Sequence, residues 1–384
     1  MTLSMRTWLR RLGTAFLFLT IALCFAPTLV PPFLDRIYHD GPATGHYDGE
    51  RFFNPDTTAA EEAAHAGGPK GFLNRWINGD RATWPTSVPV RTARPPVRVT
   101  GDAMLVTWIG HATVLVQTGG LNILTDPIWS ERASPFAFVG PKRVRAPGVR
   151  FKDLPKIDIV LVSHNHYDHL DLPTLKRLWD RDRPRIVTSL GNDAILRSSG
   201  LDATALDWGD RLSLGGRNAV RVERNHHWSS RWGTDRNRAL WSAFTIETPG
   251  GNIFFAGDTG RGDEGWVKEA ATRGPYRLAI LPIGAYEPRD FMKANHIDPD
   301  EAAAIFARLN PAMALGVHWG TFQLTFEEID DPPKRLEAAK RRLGITRDRF
   351  VATEVGRSFP VPPLSPQAGP MQNAQSLLPS RSRK

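Results

Sequence analysis

A chain of 384 residues, 41% of them hydrophobic and 23% charged, can bury one large core or two ordinary ones. Its single cysteine, Cys24, excludes an internal disulfide framework and any cysteine-rich zinc module, so a bound metal must rely on His, Asp and Glu. The net charge of +9 favours anionic partners without ranking phosphodiesters, anionic lipid headgroups and nucleic acid among themselves.

The N-terminus reads M-T-L-S-M-R-T-W-L-R-R and then carries no charge from Leu12 to Leu34. The apolar part before Pro27 is 15 residues long, the size of a signal-peptide core, and counting through Val30 gives 19, close to the ~20 of a spanning helix. Arg6, Arg10 and Arg11 precede it, so the positive-inside rule predicts export of everything downstream. Cleavage after Ala26 would leave Pro27 at the new terminus. Residues 1–34 are therefore read as an uncleaved inner-membrane anchor with a periplasmic catalytic domain, a cleaved and secreted form being the alternative. Trp8, flanking the apolar run, is expected to face lipid.

Residues 35–98 mix Gly, Pro and scattered aromatics and read as an arm wrapped on a main domain at 99–359. From Met104, M-L-V-T-W, T-V-L-V-Q, the turn T-G-G and L-N-I-L-T-D predict strands joined by a hairpin. Further strand-like runs are I-D-I-V-L-V, R-I-V-T-S, A-V-R-V-E-R, L-W-S-A-F-T-I-E, N-I-F-F-A, L-A-I-L-P-I and A-M-A-L-G-V. L-P-T-L-K-R-L-W-D and D-P-D-E-A-A-A-I-F-A-R-L predict helices, the second with Asp298 as N-cap, Pro299 at the first helical position and Glu301 closing a capping box. Hairpins followed by alternating strands and helices predict an α/β (α+β) fold with two packed sheets and helices outside. The Pro-, Ser- and Gln-rich tail, residues 360–384, is expected to be disordered.

The chemistry concentrates in S-H-N-H-Y-D-H-L-D, Ser163 to Asp171, directly after an apolar run. In extended backbone, residues i and i+2 point the same way, so His164 and His166 can aim at one ion, and a turn would swing Asp168 and His169 towards a second. Two sites need further ligands, and three other strand-like runs end in them: His226 and His227 in N-H-H-W, Asp258 in G-D-T-G, His318 in G-V-H-W-G. Any one could be an ordinary buried or turn residue. Four such strand ends in one chain point to metal.

These motifs resemble the metallo-β-lactamase superfamily, whose αββα sandwich carries a two-metal site. More narrowly, W-I-G-H-A-T-V-L-V, L-T-D-P-I-W-S-E-R-A-S-P, G-P-K-R, S-H-N-H-Y-D-H-L-D, F-F-A-G-D-T-G, I-G-A-Y-E-P-R-D-F-M-K, H-I-D-P-D-E-A and H-W-G-T-F are similar to the N-acylphosphatidylethanolamine-hydrolysing phospholipase D family of zinc hydrolases. The resemblance implies two Zn2+ ions per chain. His164, His166 and His227 would hold one, Asp168, His169 and His318 the other, and Asp258 would bridge them. His227 is preferred to His226 because the family motif is histidine followed by tryptophan. Asp126 would orient a ligand histidine, and His296, Tyr286 and Arg289 would lie on a loop contacting substrate. No role in this pattern needs His111.

The resemblance further implies hydrolysis of a glycerophospholipid diester by a metal-bridging hydroxide, with Asp168 and Asp258 as catalytic carboxylates. The products would be phosphatidic acid and an N-acylethanolamine, and the substrate would lie at a membrane surface. A lactonase acting on sugar-phosphate lactones is the first alternative, and a non-catalytic membrane-tethered binding module the second. No concentrated basic patch points to nucleic acid, and a homodimer is left open.

Overall fold

The structure, a computed structural model, describes residues 5, 7–8, 11–21, 35–57, 79 and 81–364. Residues 11–21 are helical, and no helix among the described residues is long and apolar enough to cross a membrane. Most of the expected anchor, part of the arm and residues 365–384 lie outside the described residues.

Two seven-stranded sheets form the centre of the molecule. The first contains β1 (Met104–Gly110), β2 (Thr113–Thr118), β3 (Leu121–Thr125), β4 (Ile159–Val162), β5 (Arg185–Ser189) and β6 (Thr204–Leu206), with β14 (Ser358–Pro360) added beside β1. The second runs from β7 (Arg211–Gly215) through β8 (Asn218–Glu223), β9 (Ala243–Glu247), β10 (Asn252–Phe255), β11 (Tyr276–Pro282) and β12 (Met313–Val317) to β13 (Phe350–Val351). Each sheet begins with antiparallel pairs and changes to parallel ones, at β3 in the first and β10 in the second. The T-G-G turn closes the β2–β3 hairpin with Gly119 at φ 58° and Gly120 at φ 78°, the paired left-handed conformations that suit the twist of the strands.

Alternation along the strands divides the core into layers. Ile159 and Leu161 of β4 join Trp108, Val222, Phe255, Ile280 and Leu315 between the sheets, whereas Val160 and Val162 face outward. That outer face packs on α1 (Leu172–Asp182) through Leu175 and Leu178, and on α2 (Asn192–Arg197) through Ile195 and Leu196. The outer face of the second sheet buries Phe254, Ala279 and Leu281 against α3 (Gly265–Ala271), α5 (Pro299–Leu309) and α6 (Asp331–Leu343) through Trp266, Phe306 and Leu336. This is the αββα sandwich, and each buried large aliphatic or aromatic side chain contributes about 1.5–3 kcal/mol to the stability of the frame.

Helix starts follow the sequence closely. Asp298 accepts from the amide of Glu301 at 2.9 Å, the Glu301 side chain returns to the Asp298 amide at 3.2 Å, and the capping box of α5 is complete. The short α4 (Arg289–Met292) precedes it. Asp171, at the N-cap of α1, instead spends its carboxylate on the loop after β3, accepting from the amides of Trp129 and Ser130 and from Ser130 Oγ at 2.8 Å.

The tail boundary expected at residue 360 moves later. Pro360 belongs to β14, Val361 is buried in the inter-sheet core, and Arg277 donates to the carbonyls of Val361 and Pro362. Proline is tolerated there because β14 is an edge strand. The described part of the arm packs on the main domain: Tyr47 and Phe52 cluster with Leu240 and Trp241, and Asp35 pairs with Arg238 at 2.8 Å.

Candidate metal centre

The carboxyl ends of β3, β4, β8, β10 and β12 meet at one edge of the sandwich, each followed by a polar residue the sequence singled out. His164, His166 and His227 bring one donor atom apiece to within 4.8 Å of one another, and His111, Asp168, His169 and His318 do the same. A third group, His164, His169 and Asp258, joins the two. Asp258 Oδ2 lies 3.2 Å from His169 Nε2 and 3.0 Å from His318 Nε2, and Asp168 Oδ2 lies 3.3 and 3.4 Å from the same two nitrogens.

Orphaned atoms test whether this set suits metal ions. His166 Nε2, His169 Nε2, His227 Nε2, His318 Nε2 and Asp258 Oδ1 are all buried without a hydrogen-bond partner. A buried polar atom left so is costly, and several converging on one place fit a cation. The ligand chemistry agrees: imidazole and carboxylate, without thiolate, suit zinc and other first-row metals. His164, His166 and His227 would hold one ion and Asp168, His169 and His318 the other, with Asp258 between.

Behind the donors, one carboxylate organises both clusters. Asp126, fully buried, receives the amide of Ser163 at 2.7 Å and its hydroxyl at 2.6 Å, and contacts His169 Nδ1 at 2.6 Å. Ser163 Oγ is in turn 2.9 Å from His164 Nδ1. Because the carboxylate only accepts, both histidines carry a proton on Nδ1, which leaves Nε2 of each as the atom to meet a metal. His227 is fixed likewise by the carbonyl of Asn295, 2.9 Å from its Nδ1.

Strain collects at the same place. His111 (φ 55°), Asp126 (φ 32°) and His318 (φ 64°) all adopt left-handed backbone, which costs an ordinary residue of order 1 kcal/mol or more and persists where the surroundings enforce it. The two histidines are coupled directly, the His318 amide donating to the His111 carbonyl at 3.0 Å.

Burial sets the charges. It holds the imidazolium forms of His164 and His227 well below the usual histidine range and drops His166 to about 3, so these ligands stay neutral. At His169 and His318 burial works in the same direction, but the surrounding carboxylates, Asp258 foremost, outweigh it and raise His318 to about 9 and His169 well above its ordinary value. Asp168 and Asp258 stay ionised: burial opposes their charge, and the neighbouring histidines overcome it.

The structure separates the two adjacent histidines of N-H-H-W. His227 enters the first cluster, while His226 turns away, its Nδ1 3.1 Å from Asp56 of the arm. His296 is buried beside the donors and groups with His227 and Asp258, its ring centroid 5.2 Å from that of His227, its Nδ1 unpartnered and 3.9 Å from Asp258 Oδ2. Tyr286 and Arg289 do not face the donors. Tyr286 is buried and gives its hydroxyl to Asp331, and Arg289 pairs with Glu301 and donates to the His296 carbonyl at 2.6 Å, so both brace the loop that carries His296.

Two contributions escaped the sequence. His111 donates from Nε2 to Asp168 Oδ2 at 2.8 Å; its G-H-A-T motif was visible, but its partner lies 57 residues away. Asn54 of the arm donates to the His227 carbonyl at 2.8 Å and accepts from Trp241 Nε1 at 3.0 Å, and no local motif marks it.

The profile described as the Beta-lactamase superfamily domain matches residues 121–319, the span that contains Asp126 and every candidate ligand. N-acyl-phosphatidylethanolamine-hydrolyzing phospholipase D 1 of Caenorhabditis elegans is 35% identical over 293 residues, covering 73% of this chain and 82% of the relative. The chain belongs to the metallo-β-lactamase superfamily, in its N-acylphosphatidylethanolamine-hydrolysing phospholipase D-like family. An uncharacterised Mycobacterium tuberculosis protein is 36% identical over 261 residues, covering 66% of this chain and 68% of that one. Among solved structures, isothiocyanate hydrolase from Delia radicum gut bacteria superposes with a TM-score of 0.54 at 21% identity, covering 67% of this chain and 98% of its own. A metallo hydrolase of Ignicoccus hospitalis gives 0.52 at 19% identity, covering 68% and 99%. At such identities the two structures share the fold. Family and site together make this chain a metal-dependent hydrolase.

Proposed function

We propose that the protein is a two-zinc phosphodiesterase that hydrolyses N-acylphosphatidylethanolamine to phosphatidic acid and an N-acylethanolamine. The observation that carries this reading is the pair of adjoining donor clusters joined through Asp258, in a chain with 35% identity to a phospholipase of that name. Bound ions would supply an activated water and neutralise charge developing on the phosphoryl oxygens. The chain's own part is positional. Asp126 presents one ligand of each cluster in the correct tautomer, and His111 fixes the carboxylate of Asp168. His296, held neutral by burial with a pKa near 3, can offer a hydrogen bond to a phosphoryl or headgroup oxygen beside the donors. An uncleaved anchor and a periplasmic domain belong to the same proposal, supported by Arg6, Arg10 and Arg11 ahead of the apolar run.

The test is metal quantitation of the purified full chain coupled to a lipid panel. About two zinc ions per chain and release of phosphatidic acid are expected. Zinc-dependent hydrolysis of a sugar-phosphate lactone without diester turnover would replace this reading with the lactonase one. Lipid binding that survives Asp258→Ala, with turnover absent from the unaltered chain, would favour the binding module. A topology reporter fused after residue 40 tests export, and a cytoplasmic signal refutes it.

A further inference from the structure

We propose that the loop after β3 is a membrane-insertion device whose tip, Phe136 to Val139, enters the apolar layer of an anionic bilayer beside the metal centre. The purpose of such a device rests on the lipid-substrate reading above; its detection does not. Phe136, Phe138 and Val139 are 48%, 80% and 51% exposed, three large apolar side chains within four residues. Scattered exposed apolar groups need no explanation, but a contiguous cluster does. The two phenylalanine rings lie against each other, centroids 5.5 Å apart, so they form one patch.

The loop is built to hold this patch outward. Its stem is closed by the Ala133 amide donating to the Pro141 carbonyl and the Arg143 amide donating to the Glu131 carbonyl. Arg132 reaches into the loop and donates to the carbonyls of Ala137 at 3.1 Å and Gly140 at 2.6 Å, tying the tip to its base. Ser134 Oγ accepts from the Phe136 amide at 3.2 Å. Gly140 has φ 100°, and a Cβ there would meet that of Ser134 at 2.6 Å, so the closure needs glycine. A loop whose stem and tip are tied by hydrogen bonds, yet whose rings lie in water, is shaped for something outside the chain.

Charge and position name the occupant. Pro135 to Gly140 carries no charge, while Arg132 and the exposed Lys142 flank it against one carboxylate, Glu131, in a chain of net charge +9. An apolar tip with a cationic collar suits acyl chains beneath anionic headgroups. The stem connects to the site. Arg143 stacks on Phe322, 4.8 Å from its centroid, and Phe322 packs edge-on against His111 at 5.3 Å. Insertion of the tip would therefore set the metal centre close to the headgroup plane.

The full chain is tested with a polarity-sensitive nitrobenzoxadiazole label on Phe138→Cys, in a Cys24→Ser background. Vesicles of phosphatidylethanolamine and phosphatidylglycerol should shift its emission to the blue and protect it from aqueous quencher. A label on Val97→Cys, 78% exposed at the opposite end of the strands, should not respond. Tip emission unchanged while the protein sediments with vesicles would overturn the proposal. So would a blue shift that follows protein concentration without vesicles, which would assign the patch to a second copy of the chain. In turnover, the Phe136→Ser, Phe138→Ser, Val139→Ser triple variant should lose roughly tenfold or more on vesicle-embedded diester and keep its rate on a short-chain monomeric diester. Equal loss on both substrates would overturn the proposal. Should neither diester be hydrolysed, the emission result still decides insertion, and only the proposed reaction fails.

Discussion

Asp126→Asn is the substitution that most directly probes how the centre is held. The amide keeps the shape of the carboxylate, so the hydrogen bond from the Ser163 amide can persist on Oδ1 and the fold should survive. What changes is the atom now 2.6 Å from both Ser163 Oγ and His169 Nδ1: it becomes a donor. His169 must then leave Nδ1 bare and carry its proton on Nε2, where a metal would bind. Ser163 Oγ, receiving instead of giving, turns its own proton towards His164 Nδ1 at 2.9 Å and forces the same change there. His169 loses a hydrogen bond to a charged group, worth about 1.5–3 kcal/mol, and His164 loses one to a hydroxyl, worth about 0.5–1.5 kcal/mol. At 1.4 kcal/mol per decade, this weakens the ion on His169 by about ten- to a hundredfold and the ion on His164 by about two- to tenfold. Competition with a graded chelator series, followed by metal analysis, should show both ions released more readily, with thermal stability of the chelator-treated variant within about 1 kcal/mol of wild type. Two ions retained at unchanged affinity would refute the tautomer account. Asp126→Ala should differ by also lowering stability, since the buried Ser163 amide is left unpaired at a cost of about 1–3 kcal/mol.

Other consequences can be checked alongside. His227→Ala should abolish turnover and release metal, whereas His226→Ala should keep the metal and lose only the contact with Asp56; equal metal loss in both would contradict their opposite orientations. Asn54→Ala, which frees the His227 carbonyl and Trp241 Nε1, should cost about 1–3 kcal/mol of stability and lower kcat more than it raises KM; steady-state kinetics with unfolding curves would show otherwise if the arm were only a cover. The chelator-treated protein should be most stable near pH 6.5. Below that, the unfolded chain takes up protons that His111, His164, His166, His227 and His296 refuse in the fold, so stability falls with pH by up to about 1.4 kcal/mol per unit for each. Above it, His169 and His318 hold protons that the unfolded chain releases, and their stabilisation is lost as pH rises, for His318 through about 9. Melting temperatures that stay level between pH 5 and pH 7 would refute these assignments.

By itself, the sequence determined the layered fold and singled out the candidate donors, because both are written in local pattern. Strand alternation at Ile159–Val162 sorts side chains between two faces, Asp298 and Glu301 cap their own helix, and H-N-H-Y-D-H puts four donors on one turn. Tertiary structure decided what depends on the direction of a side chain or on a distant partner. His226 and His227 are equivalent to composition, and only the turn after β8 sends one to Asp56 and the other to the metal cluster. Tyr286 and Arg289 lie in a motif shared with the family, yet packing on Asp331 and Glu301 makes them supports for His296. Pro360 reads as the start of a loose tail until β1 offers it an edge to pair with. His111 and Asn54 gained their roles from partners 57 and 173 residues away, because hydrogen bonds are made in space and leave no periodic trace along the chain.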